Sequence, residues 1–306
     1  MTFPLSVSPD VADAISSGTP VVALESTIIA HGLPRTRRLE GARRFEQVLV
    51  DAGVVPATIA VLDGELRAGL TADELDRIAN EELSKLSKRD LPVALARGGS
   101  GATTVAATSF IADHAGIRVF ATGGLGGVHR GTGDTTEHTY DESADLKVLS
   151  EVPITVVSAG VKSILDIGAT LERMESLGIT VVGYGTDEFP SFWLRSSGHT
   201  LDWSVPDAAA VAAIMESREQ LELSSALVVA NPLSLDDQLD PATHDRVLEE
   251  ALRRAEEKQV GGKNLTPFLL ETIVSLTDGE SLEVNLRIAE NNIRLAAEIA
   301  TAWSRH

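Results

Sequence analysis

Two side chains that could carry out covalent or acid–base chemistry lie beside apolar runs. Glu25 directly follows VVAL (21–24), and Lys162 lies shortly after ITVVS (154–158). A carboxylate in such a place is either partly desolvated, which raises its pKa towards that of a general acid, or serves as a helix cap or ion-pair partner. Lys162 lies at a predicted strand-to-helix turn, where the helix macrodipole and the apolar neighbours would disfavour a charged amine. A neutral amine could attack a carbonyl. Alternatively, the lysine stem extends into solvent and the amine stays charged. From these residues alone, catalytic and structural roles both stay open.

Three further segments have compositions typical of ligand-binding turns. RGGSGATT (97–104) could expose backbone N–H groups at the start of a helix and hold a phosphate on residues 101–104, although it matches neither the dinucleotide nor the P-loop pattern. TGGLGGVHRG (122–131) also fails to match either the dinucleotide or the P-loop pattern. EHTYDESADL (137–146) has oxygen donors and one imidazole, which suit a Mg- or Mn-like ion that keeps several waters. The alternative is that this segment is an acidic surface loop. Its candidate ligands are Glu137, His138, Asp141, Glu142 and Asp145.

The charge and composition exclude several classes of function. The 306 residues include 26 Lys and Arg against 45 Asp and Glu, a formal net charge of -19. Nucleic acids and anionic membranes favour a basic surface, so neither is an expected partner. The chain has no cysteine, which excludes disulfides, thiolate metal ligands and a cysteine nucleophile. Without a recognisable targeting sequence or membrane span, we expect a cytoplasmic protein that acts on a small molecule.

Short apolar, β-branched runs alternate with segments of helical period. The runs predicted to be buried strands are 21–24, 57–62, 92–96, 117–121, 154–158, 179–184 and 226–230. The predicted helices include 38–53, 105–116, 162–178 and 206–221, a capping box begins at Thr71, and residues from Pro241 onward are nearly all helical. This pattern predicts an α/β fold with three α/β/α layers, a mostly parallel central sheet and a helical C-terminal segment, in a single domain over 1–306. Ligands of such sheets bind at the carboxyl ends of the strands, where Glu25 and Lys162 lie.

Ten segments, in this order, resemble one known family. They are ALESTIIAHGLP, VPATIAVLDG, KLSKRDLP, GATTVAAT, VFATGGLGGVHRG, EHTYDESADL, VVSAGVKSILD, VVANP, KNLTPFLL and SLEVNLRIAENN. From about Val21 to Trp303 the chain is similar to the pseudouridine-5'-phosphate glycosidases, a family also known from an indigoidine-cluster protein. The resemblance implies a lyase-type glycosidase of pseudouridine catabolism that reversibly cleaves the C–C bond of pseudouridine 5'-phosphate to uracil and ribose 5-phosphate. It also implies a homotrimer with one Mn²⁺ per subunit.

The resemblance implies roles for particular residues. In the family the ribose ring opens and a lysine forms a Schiff base with the sugar C1; that lysine corresponds to Lys162, and the proton donor corresponds to Glu25. The metal-binding aspartate corresponds to Asp141. The implied substrate contacts are Lys85, Val105, Ser143, Ala144, Asp145 and Asn285. This chemistry is reasonable because a C–C bond to uracil C5 has no leaving oxygen to protonate, whereas an imine at C1 provides an electron sink.

Two other functions use some of the same residues. One is another lysine Schiff-base reaction on a sugar phosphate, of aldolase type, or the cleavage of a different C-nucleotide; release of uracil distinguishes it. The other is a non-catalytic nucleotide-phosphate binding or regulatory protein, for which Lys162 and Glu25 would be dispensable. The chain also departs from the family by about four inserted residues, TGDT (132–135), directly before the expected metal loop. The insertion leaves Asp141 and the SAD motif intact.

Overall fold

The computed structural model describes residues 3–130, 141–261 and 265–305. Their strands are β1 (Leu5–Val7), β2 (Val21–Glu25), β3 (Val55–Leu62), β4 (Glu65–Ala68), β5 (Ser84–Leu86), β6 (Gly101–Thr103), β7 (Val119–Ala121), β8 (Val128–His129), β9 (Thr155–Ser158), β10 (Leu165–Asp166), β11 (Thr180–Tyr184), β12 (Ser204–Val205) and β13 (Leu227–Ala230). Their helices are α1 (Pro9–Ser17), α2 (Thr27–Gly32), α3 (Arg38–Asp51), α4 (Ala72–Asn80), α5 (Leu91–Ala96), α6 (Val105–His114), α7 (Ala144–Leu149), α8 (Ile167–Ser176), α9 (Ala208–Gln220), α10 (Pro241–Glu257), α11 (Leu265–Leu276) and α12 (Glu280–Trp303).

The main sheet is mostly parallel, as predicted. Its strand order is β1-β4-β3-β2-β7-β9-β13-β11-β12, with β5 and β6 attached through β3. The strands from β3 to β12 along this path pair in parallel, whereas β4 and β6 run antiparallel to β3. The registers of Leu24 with Ala121 and of Ala121 with Val157 bring the carboxyl ends of β2, β7 and β9 to one level.

Alternate side chains of the central strands enter two separate cores. Ala23 and Phe120 belong to the core that contains α1, α6 and α10, whereas Leu24 and Ala121 belong to the core that contains α3, α9 and α12. Side chains of a strand alternate between the faces of its sheet, so a strand buried on both faces requires helices on both sides. The three-layer α/β/α prediction and the helical C-terminal segment are therefore confirmed.

The predicted strand at residues 92–96 is wrong, because these residues form α5. Pro92 lies in the first turn of α5, where a missing N–H costs nothing and the fixed φ suits a helix. Val93 is 53% exposed, so the apolar run is not a buried strand. The predicted helix 162–178 is also too long, because α8 begins at Ile167 and the preceding residues form a loop and β10.

Candidate functional site

Glu25 is the last residue of β2, and its carboxylate is buried. It is 7% exposed and borders a small apolar cavity lined in part by Leu24, Ile28 and Ile293. Loss of hydration raises the pKa of Glu25, and Asp145 raises it further, whereas Lys162, the Thr122 hydroxyl and Lys85 act in the opposite direction. Of the two alternatives that the sequence left open for Glu25, this burial and raised pKa agree with the desolvated carboxylate. Such a carboxyl keeps its proton to a higher pH and can act as a general acid.

The turn that follows β7 connects Glu25 to Lys162. The hydroxyl of Thr122, the residue after β7, donates a hydrogen bond to Oε1 of Glu25. Two residues later, the carbonyl oxygen of Gly124 accepts a hydrogen bond from Nζ of Lys162 at 2.6 Å. We call residues 122–124 the 122–124 turn. Because one short turn contacts both side chains, Glu25 and Lys162 have fixed positions relative to each other.

Lys162 follows β9 but does not lie at a helix N-terminus. Its backbone N–H donates to the carbonyl of Leu125 at 3.1 Å, and its own carbonyl accepts from Leu165 at 2.9 Å. Since α8 begins only at Ile167, the macrodipole argument made from the sequence is wrong for this lysine. Lys162 is half-buried, so its stem does not extend freely into solvent. Its amine is directed instead towards the 122–124 turn.

Asp145 joins two parts of the site through the backbone. Its two carboxylate oxygens accept from the N–H of Ala106 and the N–H of Gly126, each at 2.9 Å. Ser143 caps α7 by accepting from the N–H of Asp145 at 3.2 Å, and Ala144 begins this helix. These bonds hold the SAD motif between the start of α6, where Val105 is buried, and the glycine turn after β7.

The phosphate site predicted at residues 101–104 is not formed as expected. Residues 101–103 form strand β6 rather than a glycine loop. At the start of α6, the N–H of Ala106 is bonded to Asp145 and the N–H of Ala107 to the hydroxyl of Thr104 at 3.5 Å. A helix N-terminus binds an anion through N–H groups that lack partners, and side chains of this chain take these two.

Lys85 and Asn285 lie on two separate elements, β5 and α12. Lys85 lies on β5, pairs in register with Ala102 and is near enough to Glu25 to lower its pKa. On α12, Oδ1 of Asn285 accepts a hydrogen bond from Nε1 of the fully buried Trp193 at 2.6 Å. An indole N–H can only donate, so it fixes the oxygen of the amide towards Trp193 and leaves the Asn285 NH₂ directed away from it.

Asp141 lies apart from these buried residues. Its side chain is exposed, and its backbone is held by a hydrogen bond from the N–H of His129 to its carbonyl at 2.9 Å. Within 3–130, 141–261 and 265–305, no group of three or more His, Asp or Glu side chains is arranged to hold a metal ion. Glu137, His138 and the inserted residues 132–135 lie outside the described residues. An exposed carboxylate suits a hard cation that keeps most of its waters.

Three functional contacts were not predicted from the sequence. They are the Thr122 hydroxyl on Glu25, the Trp193 indole on Asn285, and Phe192, whose ring packs on the 122–124 turn. A Cβ at Gly124 would lie 2.6 Å from Cδ2 of Phe192, which explains the glycine. Phe192 has φ of 58°, which is strained for a bulky residue. The signal for Thr122 was its place after a buried strand, but the sequence does not reveal which residue it contacts.

The fold and site thus define an α/β protein with an acidic side chain and a lysine at the carboxyl ends of the two strands that flank β7. The family model described as "Indigoidine synthase A like protein" matches residues 10–302. The chain therefore belongs to the indigoidine synthase A-like family.

The comparisons also give named relatives of high identity. A protein of Frankia alni named pseudouridine-5'-phosphate glycosidase is 59% identical over 97% of this chain and 82% of its own length. A protein of Saccharopolyspora erythraea with the same name is 55% identical over 99% of this chain and 100% of its own length.

Two solved structures share the fold. An indigoidine synthase A-like protein of Thermotoga maritima has a TM-score of 0.88 at 37% identity and covers 98% of this chain and 97% of its own. The prealnumycin C-glycosynthase AlnA in complex with ribulose 5-phosphate has a TM-score of 0.90 at 35% identity and covers 100% of this chain and 98% of its own. Across the described parts of the chain, no helix is both long and apolar enough to cross a membrane.

Proposed function

We propose that this protein reversibly cleaves the C–C glycosidic bond of pseudouridine 5'-phosphate and yields uracil and ribose 5-phosphate. The observation that carries the proposal is the pairing of a buried, proton-retaining Glu25 with Lys162 across the 122–124 turn. Relatives at 55–59% identity are named for this reaction. A structural neighbour is named as a C-glycosynthase and binds ribulose 5-phosphate, a pentose phosphate, which supports C-glycoside chemistry on this scaffold.

The reaction begins at the sugar C1. The unprotonated amine of Lys162 attacks C1, the bond from C1 to the ring oxygen breaks, and that oxygen takes up a proton. The open-chain sugar is then joined through C1 to both Nζ and uracil C5. Covalent attachment divides one difficult bond cleavage into two easier steps.

Glu25 acts in the second step. Its carboxyl donates a proton to uracil C5, and the electron pair of the C1–C5 bond then restores the C5–C6 double bond as uracil leaves. The nitrogen lone pair of Lys162 forms the protonated imine at C1. Water hydrolyses this imine, releases ribose 5-phosphate and regenerates the amine. A carboxyl with a raised pKa suits this role, because it must be protonated when the C–C bond breaks.

The remaining residues bind and orient the substrate in this proposal. Lys85 attracts the phosphate, the NH₂ of Asn285 donates to the base, and Val105, Ser143, Ala144 and Asp145 line the sugar. Asp141 would hold a Mn²⁺ ion, which would supply positive charge beside the substrate. We further propose a homotrimer in the cytoplasm; a small-molecule reaction agrees with the net charge of -19.

The test is incubation of the purified protein with pseudouridine 5'-phosphate and Mn²⁺, with uridine 5'-phosphate as the control. We expect uracil and ribose 5-phosphate from the C-nucleotide only, detected by mass spectrometry. Glu25→Gln should lower kcat by about 10²–10⁴-fold, since an amide cannot donate the proton to C5. Release of no uracil by the folded, Mn²⁺-loaded protein would contradict the proposal and favour a different sugar-phosphate reaction of Lys162.

A further inference from the structure

A fully buried amide lies on the helix that packs against the site. Asn292 of α12 is 0% exposed, and the apolar side chains of Ile288, Ile293 and Leu295 surround it in sequence and are also buried. An amide on an apolar helix face destabilises the fold unless its polar atoms are hydrogen-bonded. The bonds that Asn292 makes therefore indicate why an amide stands at this position.

Asn292 binds the 122–124 turn. Its Nδ2 donates to the carbonyl of Thr122 at 2.7 Å and to the carbonyl of Gly123 at 3.3 Å. Its Oδ1 accepts from Nδ2 of Asn231, the residue after β13, at 3.0 Å. Backbone carbonyls can only accept, so the NH₂ group must face the turn and the oxygen must face Asn231. The two amides therefore have a defined order of donors and acceptors.

The turn depends on such external contacts because two of its three residues are glycines. Glycine has no side chain to restrict its backbone, so neighbouring groups must fix the conformation. Asn292 binds the carbonyls of Thr122 and Gly123, whereas Lys162 binds that of Gly124, and backbone hydrogen bonds to Val157 and from Ala159 join the turn to the end of β9. The same turn presents the Thr122 hydroxyl to Glu25 and the Gly124 carbonyl to Lys162.

We infer that Asn292, held by Asn231, is a positioning residue that sets the Thr122–Glu25 and Gly124–Lys162 contacts for the chemical step. The inference rests on the proposed function. Neither amide acts as acid, base or nucleophile; both act through the 122–124 turn. Loss of Asn292 should therefore lower kcat and leave KM almost unchanged, because the substrate still binds but the acid and amine are displaced. A loss of overall folding would instead reduce the amount of active protein and leave the pH profile of the remainder unchanged.

The pH profile provides the more specific readout. Glu25 is faced by Lys162, the Thr122 hydroxyl, Asp145 and Lys85, and the hydrogen bond from Thr122 lowers its pKa. Weakening that bond raises the pKa of Glu25. Since Glu25 must be protonated to donate its proton, the alkaline limb of the plot of kcat against pH should move to higher pH.

The experiment compares Asn292→Leu with Asn291→Ala in the intact chain. Asn291 is the matched control, because it lies on the same helix and its amide donates at 3.4 Å to the carbonyl of Pro232, outside the turn. For Asn292→Leu we expect at least about a tenfold fall in kcat, a change in KM within about threefold, and an alkaline limb at higher pH. Asn291→Ala should keep the wild-type kcat and profile.

Asn231→Ala is the second variant if Asn292→Leu does not fold, because it removes only the donor to Asn292 and should show the same changes to a smaller extent. A folded variant with wild-type kcat and pH profile, or an equal loss in Asn291→Ala, would overturn the inference. If the wild type releases no uracil, the proposed function fails by itself. A ¹³C carboxyl NMR titration of Glu25 in Asn231→Ala then still tests the connection, and an unchanged midpoint would refute it.

Discussion

The buried residues at the carboxyl edge of the sheet and the exposed residue Asp141 are held in different ways. Glu25 ends β2 and Lys162 follows β9, the two strands on either side of β7, and both contact the 122–124 turn. Asp141 is fixed through its backbone by His129, and its carboxylate is exposed. Bond cleavage requires reacting groups placed to a fraction of an ångström, whereas a hydrated ion tolerates a mobile carboxylate. Under the proposed function, we expect the chemistry at the carboxyl edge of the sheet and the metal ion beside the exposed Asp141.

The largest effect is expected at Lys162. Lys162→Ala removes the nucleophile, so uracil release should fall by at least about 10³-fold. Treatment of the wild type with ribose 5-phosphate and borohydride should reduce the imine to a stable amine on Lys162, which mass spectrometry of peptides detects. Lys147→Ala is the control, because Lys147 is exposed and pairs with Glu151 at 2.8 Å. Retained activity in a folded Lys162→Ala protein would show that the buried edge does not carry the chemistry.

A smaller effect on activity is expected at the exposed residue Asp141. Asp141→Asn weakens a carboxylate ligand, so the Mn²⁺ concentration required for half-maximal activity should rise by about 10–100-fold, while kcat at saturating Mn²⁺ changes little. Glu151→Gln is the control: it removes an exposed carboxylate outside the 137–146 segment, whose ion pairs with Lys88 at 3.1 Å and Lys147 at 2.8 Å contribute little to stability. An identical Mn²⁺ requirement in Asp141→Asn and the wild type would exclude Asp141 as the ligand.

The positions of the reactive residues could be predicted from the sequence, but their partners could not. The β-branched runs predicted β2, β9 and the edge at which Glu25 and Lys162 lie, because apolar runs of this length form buried strands. The hydroxyl that bonds Glu25 lies 97 residues away in sequence, and the amide that bonds Thr122 lies 170 residues away. Such pairs depend on which strands and helices become neighbours, and local periodicity does not encode this.

The failed predictions have local causes. The apolar run 92–96 has the composition of a strand, but Pro92 favours the first turn of a helix and the run stays partly exposed. Lys162 was assigned to a helix start because residues 162–178 have helical period, although Asp166 caps the helix by accepting from the N–H of Ala169 at 2.9 Å. An N-cap defines where a helix begins more sharply than its periodicity does.

At the buried edge, Thr122→Val tests the contact between the turn and the acid. The change removes a hydrogen bond that lowers the pKa of Glu25, so this pKa should rise and the alkaline limb of kcat should move to higher pH. We expect kcat at neutral pH to fall by about tenfold or less, because the acid is retained but less well placed. Thr58→Val is the control, since Thr58 donates to a different, half-buried carboxylate, Glu46, at 2.6 Å. An unchanged limb in Thr122→Val would contradict the contact.

The smallest effect concerns stability. Burial raises the pKa of Glu25 above its ordinary value of 4.5, so the folded state binds this proton more tightly than the unfolded state. The contribution of Glu25 to the free energy of unfolding is therefore present below pH 4.5. It is lost as the pH rises through the pKa that Glu25 has in the folded state. Glu25→Gln removes the buried charge, so its free energy of unfolding should exceed that of the wild type at pH 8 and equal it at pH 4. Thermal melting measures the difference, with about 2–4 °C expected for each 1 kcal/mol. A lower melting temperature for Glu25→Gln than for the wild type at pH 8 would mean that the attraction between Glu25 and Lys162 outweighs burial, and the carboxylate would then be a poor acid.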